Sequence, residues 1–103
     1  MIATTESFRL DGYVVDTLLR DLVGHDRSPA SFLVYLLLWR RARPGRAARL
    51  SHREIAEETG LSKSAVQLAL RNLHRRGLVR STRQHRTDTP EHKVVRTWVR
   101  PAR

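Results

Sequence analysis

Apolar positions fall into four helical stripes followed by two extended runs. From Asp11 to Gly24 the residues Val14, Val15, Leu18, Leu19, Leu22 and Val23 recur in pairs four apart, which is the spacing of one helix face. Asp11 is placed to cap the start of this helix and Gly24 its end. Ser28 and Pro29 mark a second start, an N-cap serine followed by proline at the first helical position. That helix is predicted to run to about Arg43 and to stop before Pro44–Gly45. Its middle, Phe32 to Trp39, is apolar on every side. It should therefore meet the core on one side and the first helix, or a second subunit, on another.

A basic loop over 44–49 leads to Leu50, which is expected in a very short strand. Ser51 and Glu54 then have the spacing of a capping box. The third helix spans about 52–59 and ends at Gly60, with Ile55 and Ala56 facing inward and Leu61 packing after the turn. Ser62 caps the fourth helix, Val66, Ala69, Leu70 and Leu73 form its buried stripe, and Gly77 is its left-handed C-cap. Residues 78–83 read as a strand, 84–92 as a polar tip, and Lys93 to Arg100 as a second strand packing through Val94, Val95, Trp98 and Val99. The fold class is mainly α with a small β-hairpin (α+β): a winged helix-turn-helix with an extra N-terminal helix.

Charge sharpens the picture. The chain has 103 residues and a formal net charge of +10. Residues 1–27 carry three Arg and five acids, whereas residues 28–103 carry 17 bases and five acids. A coding bias toward Arg explains why 18 of the 20 bases are Arg, but not why the excess is confined to the later part. A basic module beside a mildly acidic one fits a polyanion partner. There is no cysteine, which excludes disulfides and thiolate metal sites. The N-terminus lacks signal-peptide character, and the longest apolar run, Phe32 to Trp39, is too short for a bilayer. A cytoplasmic, nucleoid-associated protein is expected.

Two helices joined by a Gly-containing turn over residues 50–79, LSHREIAEETGLSKSAVQLALRNLHRRGLV, make a helix-turn-helix. Its second helix exposes Lys63, Ser64, Gln67, Leu68 and Arg71 opposite the apolar stripe. At about 100° per residue, positions 67 and 71 lie together with 63, 64 and 68 beside them. Such a helix fits the major groove of double-stranded DNA. His52, on the first turn of the third helix, is placed for a phosphate contact.

Residues 51–79 resemble the DNA-binding domain of GntR-type and MarR-type bacterial regulators. The resemblance rests on Leu61-Ser62, Ala65-Val66, Ala69-Leu70, Leu73 and Gly77-Leu78-Val79. It implies that the groove-contacting positions fall on Ser62, Lys63, Ser64, Gln67, Leu68 and Arg71, and that the hairpin is a wing. Ser62 would meet a phosphate, Gln67 an adenine, and Arg71 a guanine or a phosphate. Leu68 departs from the polar residue common there; it would meet a thymine methyl group or a protein. Wing candidates are Arg80, Arg83, Gln84, His85, Arg86 and Lys93. Asp88 and Glu91 dilute the tip charge, which leaves Arg83 and Arg86 as the favoured contacts.

On this reading residues 1–27 are an N-terminal segment and helix serving dimerisation, and residues 28–103 are the DNA-binding domain. The expected partners are double-stranded DNA and a second copy joined through residues 11–43. The length leaves no room for the ligand domain of GntR-type regulators, so no small-molecule effector is expected. No cofactor or metal is expected either: His85 and His92, with Asp88 or Glu91, match no established ligand spacing. No Ser-His-Asp set, phosphate loop or paired carboxylate appears, and adjacent Glu57 and Glu58 point apart on a helix, so the chain does not read as an enzyme. Arg75 and Arg76 suit the helix C-terminus. Arg40, Arg41, Arg43, Arg46 and Arg49 are open to two readings, a phosphate track or a solvated face. A replication-initiation or plasmid-maintenance protein, and a protein-interaction winged helix, are the alternatives to a transcriptional regulator.

Overall fold

The computed structural model describes residues 5–43 and 46–99. The second helix stops at Arg41, before Pro44–Gly45 as expected but two residues short of Arg43, and the predicted strand end at Arg100 lies outside the described residues. The elements follow the order of a winged helix-turn-helix. An N-terminal helix in two runs, Val14–Leu18 and Arg20–His25, precedes α1 (Pro29–Arg41), β1 (Ala48–Arg49), α2 (His52–Thr59), α3 (Lys63–Arg75), β2 (Val79–Thr82) and β3 (Glu91–Val94).

The N-terminal helix buries only part of its predicted stripe, leaving Val15 and Leu19 exposed, and it changes its turn. It is a π-helix, with Leu19 N–H bonded to Val14 O and Asp26 N–H to Asp21 O (2.8 Å). Val14, Leu18 and Leu22 are buried. A spacing of four is compatible with α and π turns alike, so the pattern identified the buried row Val14–Leu18–Leu22 but neither the exposure of Val15 and Leu19 nor the hydrogen-bond register. Neither predicted cap forms. The Asp11 carboxylate bonds Trp98 Nε1 (3.0 Å) and Arg96 Nη1 (3.3 Å) instead of the helix start. The helix runs through Gly24, and Arg27 takes the left-handed position (φ 52°) while Ser28 N–H returns to Leu22 O at 2.8 Å.

The other boundaries follow their local signals. Ser28 accepts from Ser31 N–H (3.3 Å) ahead of Pro29. Ser51 and Glu54 form the reciprocal box at 3.1 and 3.0 Å, and Ser62 accepts from Ala65 N–H at 3.1 Å. Gly60 and Gly77 have φ of 80° and 70°, the region where glycine avoids the Cβ penalty. One core unites these elements: Val14, Leu18 and Leu22 pack with Val34, Tyr35 and Leu38 of α1, Ile55 of α2, and Val66, Leu70 and Leu73 of α3.

The hairpin proves to be part of a three-stranded antiparallel sheet of order β1-β3-β2. The short strand is Ala48–Arg49 rather than Leu50, which is buried just beyond it. β3 starts earlier than expected, at Glu91, and ends at Val94. Val95 N–H still reaches Leu78 O (2.8 Å) and Val95 O accepts from Tyr35 Oη (3.3 Å). Beyond it the chain leaves the sheet because Trp98 is drawn onto the N-terminal helix, stacking on Tyr13 with ring centroids 4.5 Å apart. Among the described residues no helix is long and apolar enough to cross a membrane.

Candidate nucleic-acid interface

Strong amphipathicity shapes α3. Val66, Ala69, Leu70 and Leu73 are buried, while Ser62, Lys63, Ser64, Gln67, Leu68 and Arg71 are exposed. Five of the six side chains carried over from the family resemblance therefore share the open side of α3, and the sixth, Ser62, stands at its N-cap. Leu68, 61 % exposed, is the most open large apolar residue among the described residues. Ser62 also holds the helix start: its hydroxyl oxygen accepts Ala65 N–H and lies 3.2 Å from Ser64 Oγ.

What fixes α3 in place lies at its other end. Asp26 accepts from Arg76 Nε at 2.8 Å and Nη2 at 2.5 Å, and from Asn72 Nδ2 at 3.0 Å. The carboxylate side chain is only 4 % exposed. The Arg76 guanidinium, aided by His25 and Asn72, holds its pKa well below the usual carboxylate range against the opposing cost of burial. Asn72 also donates to Ser31 Oγ (3.1 Å), and so α3, α1 and the N-terminal helix meet at one polar node. Arg76 is thus a tertiary anchor as well as a cation near a helix C-terminus. Sequence reasoning missed this pairing because its partners are fifty residues apart.

His52 is half-buried at the start of α2. Its pKa is lowered by burial first, then by the charges of Arg83, Lys63 and His74. Lys63 and His74 belong to α3 and Arg83 follows β2, so His52 feels cations from both. Within the wing, Arg83 Nη1 donates to Arg86 O (3.0 Å), and Asp88 accepts His85 N–H (3.0 Å) while its own N–H returns to His85 O (3.0 Å). Asp88 therefore closes the tip turn, a role beyond diluting its charge. Arg83 and Arg86 remain exposed.

Two wing assignments change. His92 belongs to β3 rather than to the tip and is 1 % exposed. Its Nε2–H donates to Leu50 O (2.9 Å) and its Nδ1 lies 2.6 Å from Ser81 Oγ, which in turn lies 2.7 Å from His74 Nε2. Since a carbonyl only accepts, neutral His92 must take the Ser81 proton at Nδ1, and Ser81 then accepts from His74. This chain ties both wing strands to α3. Lys93 alternates to the opposite, exposed face of β3, in register with Arg80. There it lines a cavity with Arg9, Arg43 and Arg46 rather than extending the Arg83–Arg86 tip. Among the described residues no three His, Asp or Glu side chains converge as a metal-binding group. Glu57 and Glu58 pair separately, with Arg53 (3.2 Å) and with Arg41.

No curated protein and no solved structure matches the chain. Residues 28–79, from the cap of α1 to the first residue of β2, match the family described as helix-turn-helix domain. This span contains α1, both helices of the motif and the turn at Gly60, and the chain belongs to that helix-turn-helix family.

Proposed function

We propose that the protein binds double-stranded DNA sequence-specifically, as a homodimeric transcriptional regulator acting on the nucleoid in the cytoplasm. The carrying observation is the open side of α3, where Lys63, Ser64, Gln67 and Arg71 stand clear of the core. Cations capture the duplex through its phosphates, and Gln67 and Arg71 read base edges in the major groove. The mode of action is that of the GntR- and MarR-type regulators which residues 51–79 resemble, with neither catalysis nor a metal.

Exposed apolar side chains within residues 11–43 support self-association. Tyr13, Val15 and Leu19 on the N-terminal helix and Leu33 on α1 all remain open to solvent. Selection of bound duplexes from a random pool tests the reading. The expected product is an inverted repeat with half-sites about 34–36 Å, or one turn, apart. A pool that stays random after selection would reject sequence-specific binding.

Leu68 favours one second reading, a winged helix that docks on protein through α3, since its open apolar side chain on the reading face departs from the polar residue common there. Retention of the duplex under heparin competition argues against that reading; its loss argues for it.

A further inference from the structure

A cavity of about 770 Å³ opens where Phe8 and Arg9, the end of α1, the chain before β1 and the outer side of β3 meet. No residue of α2 or α3 lines it. Its size lies within the range of small-molecule sites. Among the described residues six cations border it, Arg9, Arg40, Arg43, Arg46, Lys93 and Arg96, against one carboxylate, Glu91. Two of the six are matched: Arg40 pairs with Glu6 (2.9 Å) and Arg96 with Asp11 (3.3 Å). Among the described residues the Arg43 guanidinium donates only to the Arg40 carbonyl (3.4 Å), and Arg9, Arg46 and Lys93 have no carboxylate partner. Gathering like charges in a concave site concentrates positive potential there, and an anion relieves it.

The same cavity has an aromatic wall. Tyr13, Trp98 and Trp39 form a run of near-parallel rings, at 4.5 Å and 20° and then 6.4 Å and 11°. The run ends on Trp39, which lines the cavity. Trp39 is fixed in orientation because its indole N–H donates to Arg9 O at 2.6 Å. Phe8, also in the lining, is covered by the Arg40 guanidinium, 5.3 Å from the ring centroid.

We propose that this cavity binds a small polyanion bearing a planar ring, of the nucleoside polyphosphate class. The phosphates meet Arg43, Arg46 and Arg9, and the ring lies against the Trp39 wall. A phosphate track for duplex DNA explains the cations, but leaves the concave aromatic wall unused. The site departs from the expectation, drawn from length, that the chain has no effector. It does not depend on α3 reading DNA.

Titration of the full chain with ATP, followed by calorimetry and by tryptophan emission, tests this directly, because both tryptophans of the chain, Trp39 and Trp98, belong to the ring stack. The expected result is saturable one-to-one binding at 0.15 M salt. Adenosine alone and tripolyphosphate alone should each bind about tenfold or more weakly, as should ATP to the Arg43→Ala/Arg46→Ala double variant, with Arg71→Ala unchanged. A thermal melt checks that the double variant folds. For the native chain, competition by an unlabelled duplex gives a second readout: ATP that stays bound supports the site. Four results overturn it: no saturation, tripolyphosphate binding as tightly as ATP, equal losses in Arg71→Ala and the double variant, or stoichiometric displacement of ATP by the duplex.

Discussion

Arg76 closes on Asp26 with two hydrogen bonds, 2.8 and 2.5 Å long, joining the last turn of α3 to the end of the N-terminal helix. The pair sets the tilt of the helix proposed to read DNA without touching its open face. Removing one partner of a largely buried pair leaves a charge without compensation, a loss of about 3 kcal/mol in such cases. Arg76 retains some access to water (28 % of its side chain), which moderates the loss. Asp26→Ala is expected to lower the melting temperature by about 10 °C or more, measured by circular dichroism at pH 7. An unchanged melting point would show that the node contributes nothing.

Acid should weaken the fold in two stages. His92 and His52 both have pKa values below the ordinary histidine value, chiefly through burial. The Leu50 carbonyl partly offsets this at His92, while His52 and His74 reinforce it. For groups lowered by folding, the unfolded chain binds the proton first. Their contribution is complete above about pH 6.5 and is lost as pH falls through the folded-state values. Asp26, also lowered, contributes above its ordinary carboxylate range and fails only at more acid pH. Thermal melts should therefore give a midpoint about 5 °C lower at pH 5.5 than at pH 7.5, and His92→Gln should flatten that difference. A wild-type midpoint that is level between the two pH values contradicts the burial of a neutral His92.

Much of this architecture was legible because its signals are local. Ser28, Ser51 with Glu54, Ser62, Gly60 and Gly77 each act within four residues of their own position, and each does what its type and spacing imply. The open side of α3 follows from its stripe in the same way. Non-local relations left no such trace. The Asp26–Arg76 pair, and the Tyr13–Trp98–Trp39 stack that pulls the chain away from β3, join residues that sequence spacing cannot bring together. His92 was misplaced for a related reason. In Glu91-His92-Lys93 nothing marks the middle residue as buried; the hydrogen bonds to Leu50 and Ser81 that satisfy it exist only in the fold.

The wing is expected to contribute charge rather than base recognition. If Arg83 and Arg86 each meet one phosphate, the double change to Ala should reduce the slope of log affinity against log salt by about 1.8, at about 0.9 per contact. Preference among sequences should hardly alter. Anisotropy titrations over a range of salt concentrations measure both quantities. A salt slope equal to that of the native chain would remove the wing from the interface.

In the proposed function α3 reads bases through Gln67 and Arg71. The most direct test compares Arg71→Ala with the native protein on two duplexes, the selected site and a scrambled one, at 0.15 M salt. On the selected site the substitution should cost about 1–3 kcal/mol, and on the scrambled duplex clearly less. Equal losses on both duplexes, or none on either, would contradict base reading by this helix.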